Sequence, residues 1–168
     1  MPPEHHIDLL AYFITFRCYG TWLHGDQRGS VDDSHNIPGT EMLPPDLPRE
    51  RSERSKLAHE PQSLDLARRM VVDATIREGC QFRGWLLTAI NVRSNHVHVV
   101  VTADGIAPEE VMRVMKARAT RCLREAGLLT TGERLWSEHG STIYLWTERQ
   151  VASAIWYVTE GQGRPNVR

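Results

Sequence analysis

The segment Asn95-His96-Val97-His98-Val99-Val100-Val101 constrains the fold more than any other part of the chain. Four valines in seven residues disfavour a helix and suit a pleated strand. In a strand, residues i and i+2 point to one face. His96 and His98 therefore leave one side of a sheet together, and Val97, Val99 and Val101 leave the other. Two imidazoles placed this way can share one metal ion. A chance pair of half-buried histidines has the same spacing, so the rest of the sequence has to decide.

The flanking segments supply the other elements. Residues 11–18, rich in Tyr, Phe, Ile and Thr, read as a first strand. Residues 24–63 hold most of the prolines and many charges, and read as a long surface excursion. From Leu64 to Gly79 the pattern is helical, with Leu66, Met70, Val71, Ala74 and Ile76 as the buried face and Gly79 as the stop. Gln81–Val92 reads as a strand, joined to the histidine strand by a turn at Arg93-Ser94-Asn95. Asn95 either makes that turn or orients the histidines.

Ala107-Pro108-Glu109-Glu110 opens a helix that runs to about Glu125, with Val111, Met115, Ala119 and Cys122 on its inner side. A short strand lies near 141–145. Thr147 and Gln150 have the spacing of a capping box for a last helix, whose apolar stripe is Val151, Ala154, Ile155 and Val158 and which Gly161 and Gly163 end. The order strand, helix, strand, strand, helix, strand predicts an α+β fold. It is the ferredoxin-like or RRM-like split β-α-β sandwich with an antiparallel sheet. The last helix is an addition, and it carries Tyr157.

A chain of 168 residues with 40% apolar content and five tryptophans fits one domain over 1–168. The net charge of −1 excludes a generally basic, DNA-coating protein, so any nucleic-acid contact must be local. Cys18, Cys80 and Cys122 are widely spaced and odd in number, which suits reduced thiols in the cytoplasm. The N-terminus lacks the pattern of a signal peptide, and no apolar run is long enough to span a membrane.

Phe13-Ile14-Thr15-Phe16, His96-Val97-His98, Lys116-Ala117-Arg118-Ala119-Thr120 and Trp156-Tyr157-Val158-Thr159-Glu160-Gly161-Gln162-Gly163 occur in this order. Together they resemble the single-tyrosine HUH transposases of insertion sequences, including the REP-associated tyrosine transposases. The resemblance covers about residues 8–165, and the excursion is its least diagnostic part. It implies a transposase that cuts and rejoins single-stranded or hairpin DNA through a 5′-phosphotyrosine on Tyr157. It also implies a divalent metal, Mg²⁺ or Mn²⁺, held by His96 and His98. A phenol ionises near pH 10, so such a nucleophile needs a metal or a base nearby.

Relatives often carry an amide ligand four residues after the tyrosine, and here that position is Gly161. Gln162 is the chemical substitute and Glu160 the geometric one. A protein that keeps the fold and binds hairpin DNA with weakened catalysis is the alternative reading. The family includes homodimers with the tyrosine helix in trans as well as monomers, and the sequence does not choose between them. Arg113, Lys116, Arg121 and Arg124 gather on the outer side of their helix, either as DNA backbone contacts or as an ordinary solvated face. Trp136 and Trp146 are either base-stacking residues or core. For His24, His35 and His139 no ligand spacing is present, which favours surface or hydrogen-bonded roles.

Overall fold

The computed structural model describes residues 8–21 and 47–161. Its elements are β1 (Ala11–Cys18), α1 (Leu47–Ser55), α2 (Leu66–Arg83), β2 (Leu86–Val92), β3 (His96–Thr102), α3 (Pro108–Glu125), β4 (Trp136–Leu145) and α4 (Glu148–Thr159). The four strands form one antiparallel sheet in the order β2-β3-β1-β4. That order, with α2 and α3 as the two crossovers, is the ferredoxin-like arrangement expected from the sequence.

Strand alternation divides the side chains between the two faces. Ile14, Phe16, Val97, Val99 and Val101 join Val72 and Ile76 of α2 and Val111, Met115, Ala119 and Leu123 of α3 in the main core. The opposite face carries a smaller cluster of Ala11, Phe13, Ala89, Val100 and Leu145 under Ala154 and Val158 of α4. Each strand thus supplies apolar residues to both faces, which requires a covering helix on each side.

Helix α2 departs from the sequence reading. It begins after Asp65, whose carboxylate accepts from the Arg68 N–H at 2.8 Å, and ends at Gly84 in the left-handed conformation. Gly79 lies inside the helix and is buried. A Cβ there would sit 3.1 Å from Arg118 Nε, so this glycine admits a crossing side chain rather than stopping a helix. The buried positions are Val72, Thr75, Ile76, Gly79 and Cys80, while Leu66 and Met70 are 65% and 64% exposed. The strand that follows is accordingly shorter, starting at Leu86 and not at Gln81.

Part of the expected excursion is also ordered, as the short helix α1. Strand β4 is longer than expected and starts at Trp136. β1, the turn at 93–95, α3 and the Thr147/Gln150 capping box all stand where the sequence puts them. Among the described residues no helix is long and apolar enough to cross a membrane.

Candidate active site

His96 and His98 project from β3 on the α4 side of the sheet. Their ring centroids are 4.6 Å apart and the rings are steeply inclined, at 75°. His98 is 6% exposed, whereas His96 is half-buried. Each imidazole is held through Nδ1. The His96 Nδ1 donates to the carboxamide oxygen of Asn95 at 2.6 Å, because that oxygen can only accept. The His98 Nδ1 bonds the Thr15 hydroxyl at 2.7 Å. A neutral imidazole that donates from Nδ1 carries its lone pair on Nε2, so Nε2 is the nitrogen by which His96, and His98 when the Thr15 hydroxyl accepts from its Nδ1–H, would ligate a metal.

Pairing across the sheet assembles the surroundings. Asn91 of β2, His98 of β3, Thr15 of β1 and Ser141 of β4 are successive partners in one row. Arg17 is paired with His96 and therefore shares its face. Phe13 lies under the site, stacked on His98 with centroids 5.5 Å apart.

Tyr157 comes to this row from α4. The helix starts on a complete capping box, with the Thr147 hydroxyl accepting from the Gln150 N–H and the Gln150 side chain returning to the Thr147 N–H. Ala154 and Val158 seat it on the sheet, and Val158 is fully buried. Tyr157 stands beside that seat. Its ring is 5.6 Å from His98 and 5.9 Å from Phe13, centroid to centroid, and both contacts are edge-to-face. The residue is 44% exposed, so solvent or a ligand reaches it. Imidazole pair and phenol thus meet within a single chain. Asn91 Nδ2 donates to the Val158 carbonyl at 2.9 Å, next to the tyrosine.

Two imidazoles anchored on one face are a donor set that a divalent cation accepts, with oxygen ligands completing its shell. No cluster of three or more His, Cys, Asp or Glu residues suited to a metal occurs among the described residues. Glu160 is the C-cap of α4 and is exposed. Gln162, the expected amide ligand, lies outside the described residues, as do His24 and His35. Gly161 has a steric role. A Cβ there would come 3.0 Å from the Tyr157 Cα and 3.1 Å from its ring. A side chain at 161 would therefore crowd the phenol.

The cations of α3 lie elsewhere. Arg113, Lys116, Arg121 and Arg124 line an open groove of about 720 Å³ between α3 and the β4 edge, together with Glu109, Glu138 and His139. His139 is thus on the groove and not beside the histidine pair. Arg113 is paired with Glu110 at 2.6 Å and Arg121 with Glu125 at 3.6 Å, both exposed. Lys116 is different. Its ammonium donates to the carbonyls of Ser137, Glu138 and His139 at 2.9, 3.4 and 3.1 Å. Burial, then the neighbouring Arg134 charge, pulls it down to about 8. It pins the start of β4 to α3. Trp136 is core: buried, edge-on to Phe16, and donating from Nε1 to the Lys116 carbonyl at 3.2 Å. Trp146 remains exposed and stacks on Tyr144.

Residues 61–154 match the family described as Transposase IS200 like. That span is more than half of the chain. It includes both histidines and stops three residues short of Tyr157.

The chain belongs to the IS200-like transposases.

No curated protein matches the sequence. Among solved structures, one similar to this transposase is a REP-associated tyrosine transposase bound to a REP hairpin. It is 11% identical, with 90% of this chain and 67% of that one covered and a TM-score of 0.47. Another, from Deinococcus radiodurans R1 and assigned by its name to the transposases, is 13% identical over 94% and 95% of the two chains, with a TM-score of 0.49.

The sequence pointed to the histidines and the tyrosine of this IS200-like transposase but not to Thr15, Asn91 or Arg17. Thr15 left one signal, a lone polar residue in the otherwise apolar run Phe13–Phe16. Asn91 and Arg17 left none, because their relation to the histidines exists only through strand register.

Proposed function

We propose that this transposase cuts and rejoins single-stranded DNA, with Tyr157 as the nucleophile. The observation that carries the reading is the meeting of an exposed phenol with the histidine pair on one sheet face of one chain. The Tyr157 oxygen attacks the scissile phosphorus and gives up its phenolic proton to a base. The bond from phosphorus to the 3′ oxygen breaks, and that oxygen leaves as a protonated 3′-hydroxyl. The DNA 5′ end is then held as a phosphotyrosine ester. One phosphate ester replaces another, so a second 3′-hydroxyl can reverse the step and join strands without ATP.

His96 and His98 would hold a divalent cation, Mg²⁺ or Mn²⁺, with Gln162 as a further ligand. Such a cation would supply Lewis-acid polarisation of the scissile phosphate and would offset charge in the in-line transition state. Asn95 and Thr15 keep the imidazoles oriented for that role. Arg113, Arg121 and Arg124 track DNA phosphates along the α3 groove, and Lys116 adds charge to its wall while bound to β4. The partner is single-stranded or hairpin DNA. The seating of α4 on its own sheet supports a reading in which one chain supplies both halves of the site.

The test is a denaturing gel of the transposase incubated with a hairpin-bearing single-stranded oligonucleotide and Mn²⁺. A covalent adduct is expected, lost in Tyr157→Phe and in His96→Ala. A hairpin complex that never yields an adduct would replace this reading with that of a DNA-binding protein of the same fold. Gly161, standing where relatives often carry an amide ligand, is what favours that second reading.

A further inference from the structure

We infer that Asn91 is a positioning residue: its carboxamide fixes the last turn of α4 and so sets the reach of Tyr157 over His98. The inference rests on the reading of Tyr157 as nucleophile. Four carbonyls at the end of any helix lack an intrahelical donor, and Val158 supplies one of them in α4. Its partner comes from the sheet, as the Asn91 Nδ2–H at 2.9 Å. The other bonds at this end stay within the helix: the Glu160 and Gly161 N–H groups donate to the Trp156 carbonyl, and the Thr159 hydroxyl donates to the Ile155 and Trp156 carbonyls. No left-handed cap closes the helix, since Glu160 has φ −118°. The apolar seat through Ala154 and Val158 fixes how closely the helix lies but resists sliding poorly, because apolar contact is non-directional. A hydrogen bond beside the tyrosine fixes the remaining coordinate.

The position of Asn91 strengthens the argument. It is the direct strand partner of His98. His98 is oriented from its other side by Thr15. The imidazole and the phenol-bearing helix are therefore both referenced to one row of the sheet, and an error in either is measured against the same backbone. The amide donor of Asn91 is engaged by the Val158 carbonyl and takes no part in the proposed chemical step. Its loss should slow the covalent step and leave binding alone.

The experiment compares Asn91→Leu and Asn91→Ala, which lack the donor, with Asn91→Gln, which keeps it, and with Val151→Ala, which weakens the seat of α4 at its other end. Two quantities are read on the full chain: single-turnover adduct formation with a hairpin oligonucleotide and Mn²⁺, and hydrogen exchange of the Glu160 and Gly161 amides. Without the donor, adduct formation is expected to fall about 10- to 100-fold, the scale of an ångström-level misplacement. The dissociation constant for the oligonucleotide stays unchanged and the two amides exchange faster. Asn91→Gln recovers part of the rate, and Val151→Ala retains it. Wild-type rates in Asn91→Leu and Asn91→Ala, or a fall matched by lost DNA affinity, would overturn the inference. If the wild-type protein forms no adduct, the nucleophile reading fails. Exchange at Glu160 and Gly161 then decides by itself whether Asn91 fixes the helix end, and unchanged protection in both variants refutes it.

Discussion

On the α2–α3 side of the sheet, Ile14, Phe16, Val97, Val99 and Val101 are shut away from water in an apolar core. On the α4 side the same strands present Phe13, Thr15, Asn91, His96 and His98, under a helix that buries little more than Ala154 and Val158. The first face stabilises the fold. The second is left with enough polar surface and enough access to do chemistry. Because strand alternation separates them, a substitution on one face should have limited consequences for the other.

The largest effects should divide cleanly between the faces. Tyr157→Phe is expected to lower adduct formation by on the order of 10³-fold or more, with an unchanged melting temperature. Ile14→Ala should cost about 2–5 kcal/mol of stability, read by denaturant unfolding, with normal adduct formation per folded molecule. Equal loss of both properties in either variant would break the division.

Thr15→Val removes the hydroxyl on His98 while keeping the shape of the side chain. A loss of about 10- to 100-fold in Mn²⁺ affinity is expected by titration, as for other groups that orient metal-binding histidines. Gly161→Ala tests crowding against the phenol. A drop of about 3- to 10-fold in adduct rate with unaltered DNA affinity is the expected outcome.

The smallest effects concern the α3 groove. Arg121→Ala and Arg124→Ala should each reduce the salt slope of DNA binding by about 1 and leave the fold intact. Lys116→Met should instead cost about 1–3 kcal/mol of stability, because three carbonyls lose their donor. The pH dependence has a definite sign. Lys116 ionises near 8 in the fold against 10.5 for the free side chain. The folded state therefore holds fewer protons between those values. Stability of the wild type relative to Lys116→Met should rise with pH across that window, as thermal melts would show, and stay level below it.

Legibility followed the range of the interactions involved. β1, the turn at 93–95, α3 and the start of α4 depend on local alternation, a proline at a helix start and a capping box, so their boundaries could be read directly. The end of α2 could not. Gly79 has the appearance of a stop, and only the passage of Arg118 across it explains a glycine inside the helix. Helix α1 falls in a charge-rich stretch with no clear apolar stripe, which reads as solvated chain. Lys116 looks like a phosphate contact from its helix face, yet its ammonium turns to β4, an element twenty residues away in sequence. Trp136 is equally ambiguous until Phe16 is beside it.

Residue order alone puts His96 and His98 on one face, because a strand repeats every two residues. It also puts Tyr157 at the flank of its helix, because a helix repeats every 3.6. The meeting of the tyrosine with the histidines comes instead from packing between distant elements. Nothing local fixes where α4 docks. That placement comes from burial of Val158 and Ala154 against Phe13 and Val100, and from the Asn91 bond to the Val158 carbonyl, contacts between residues more than 50 positions apart.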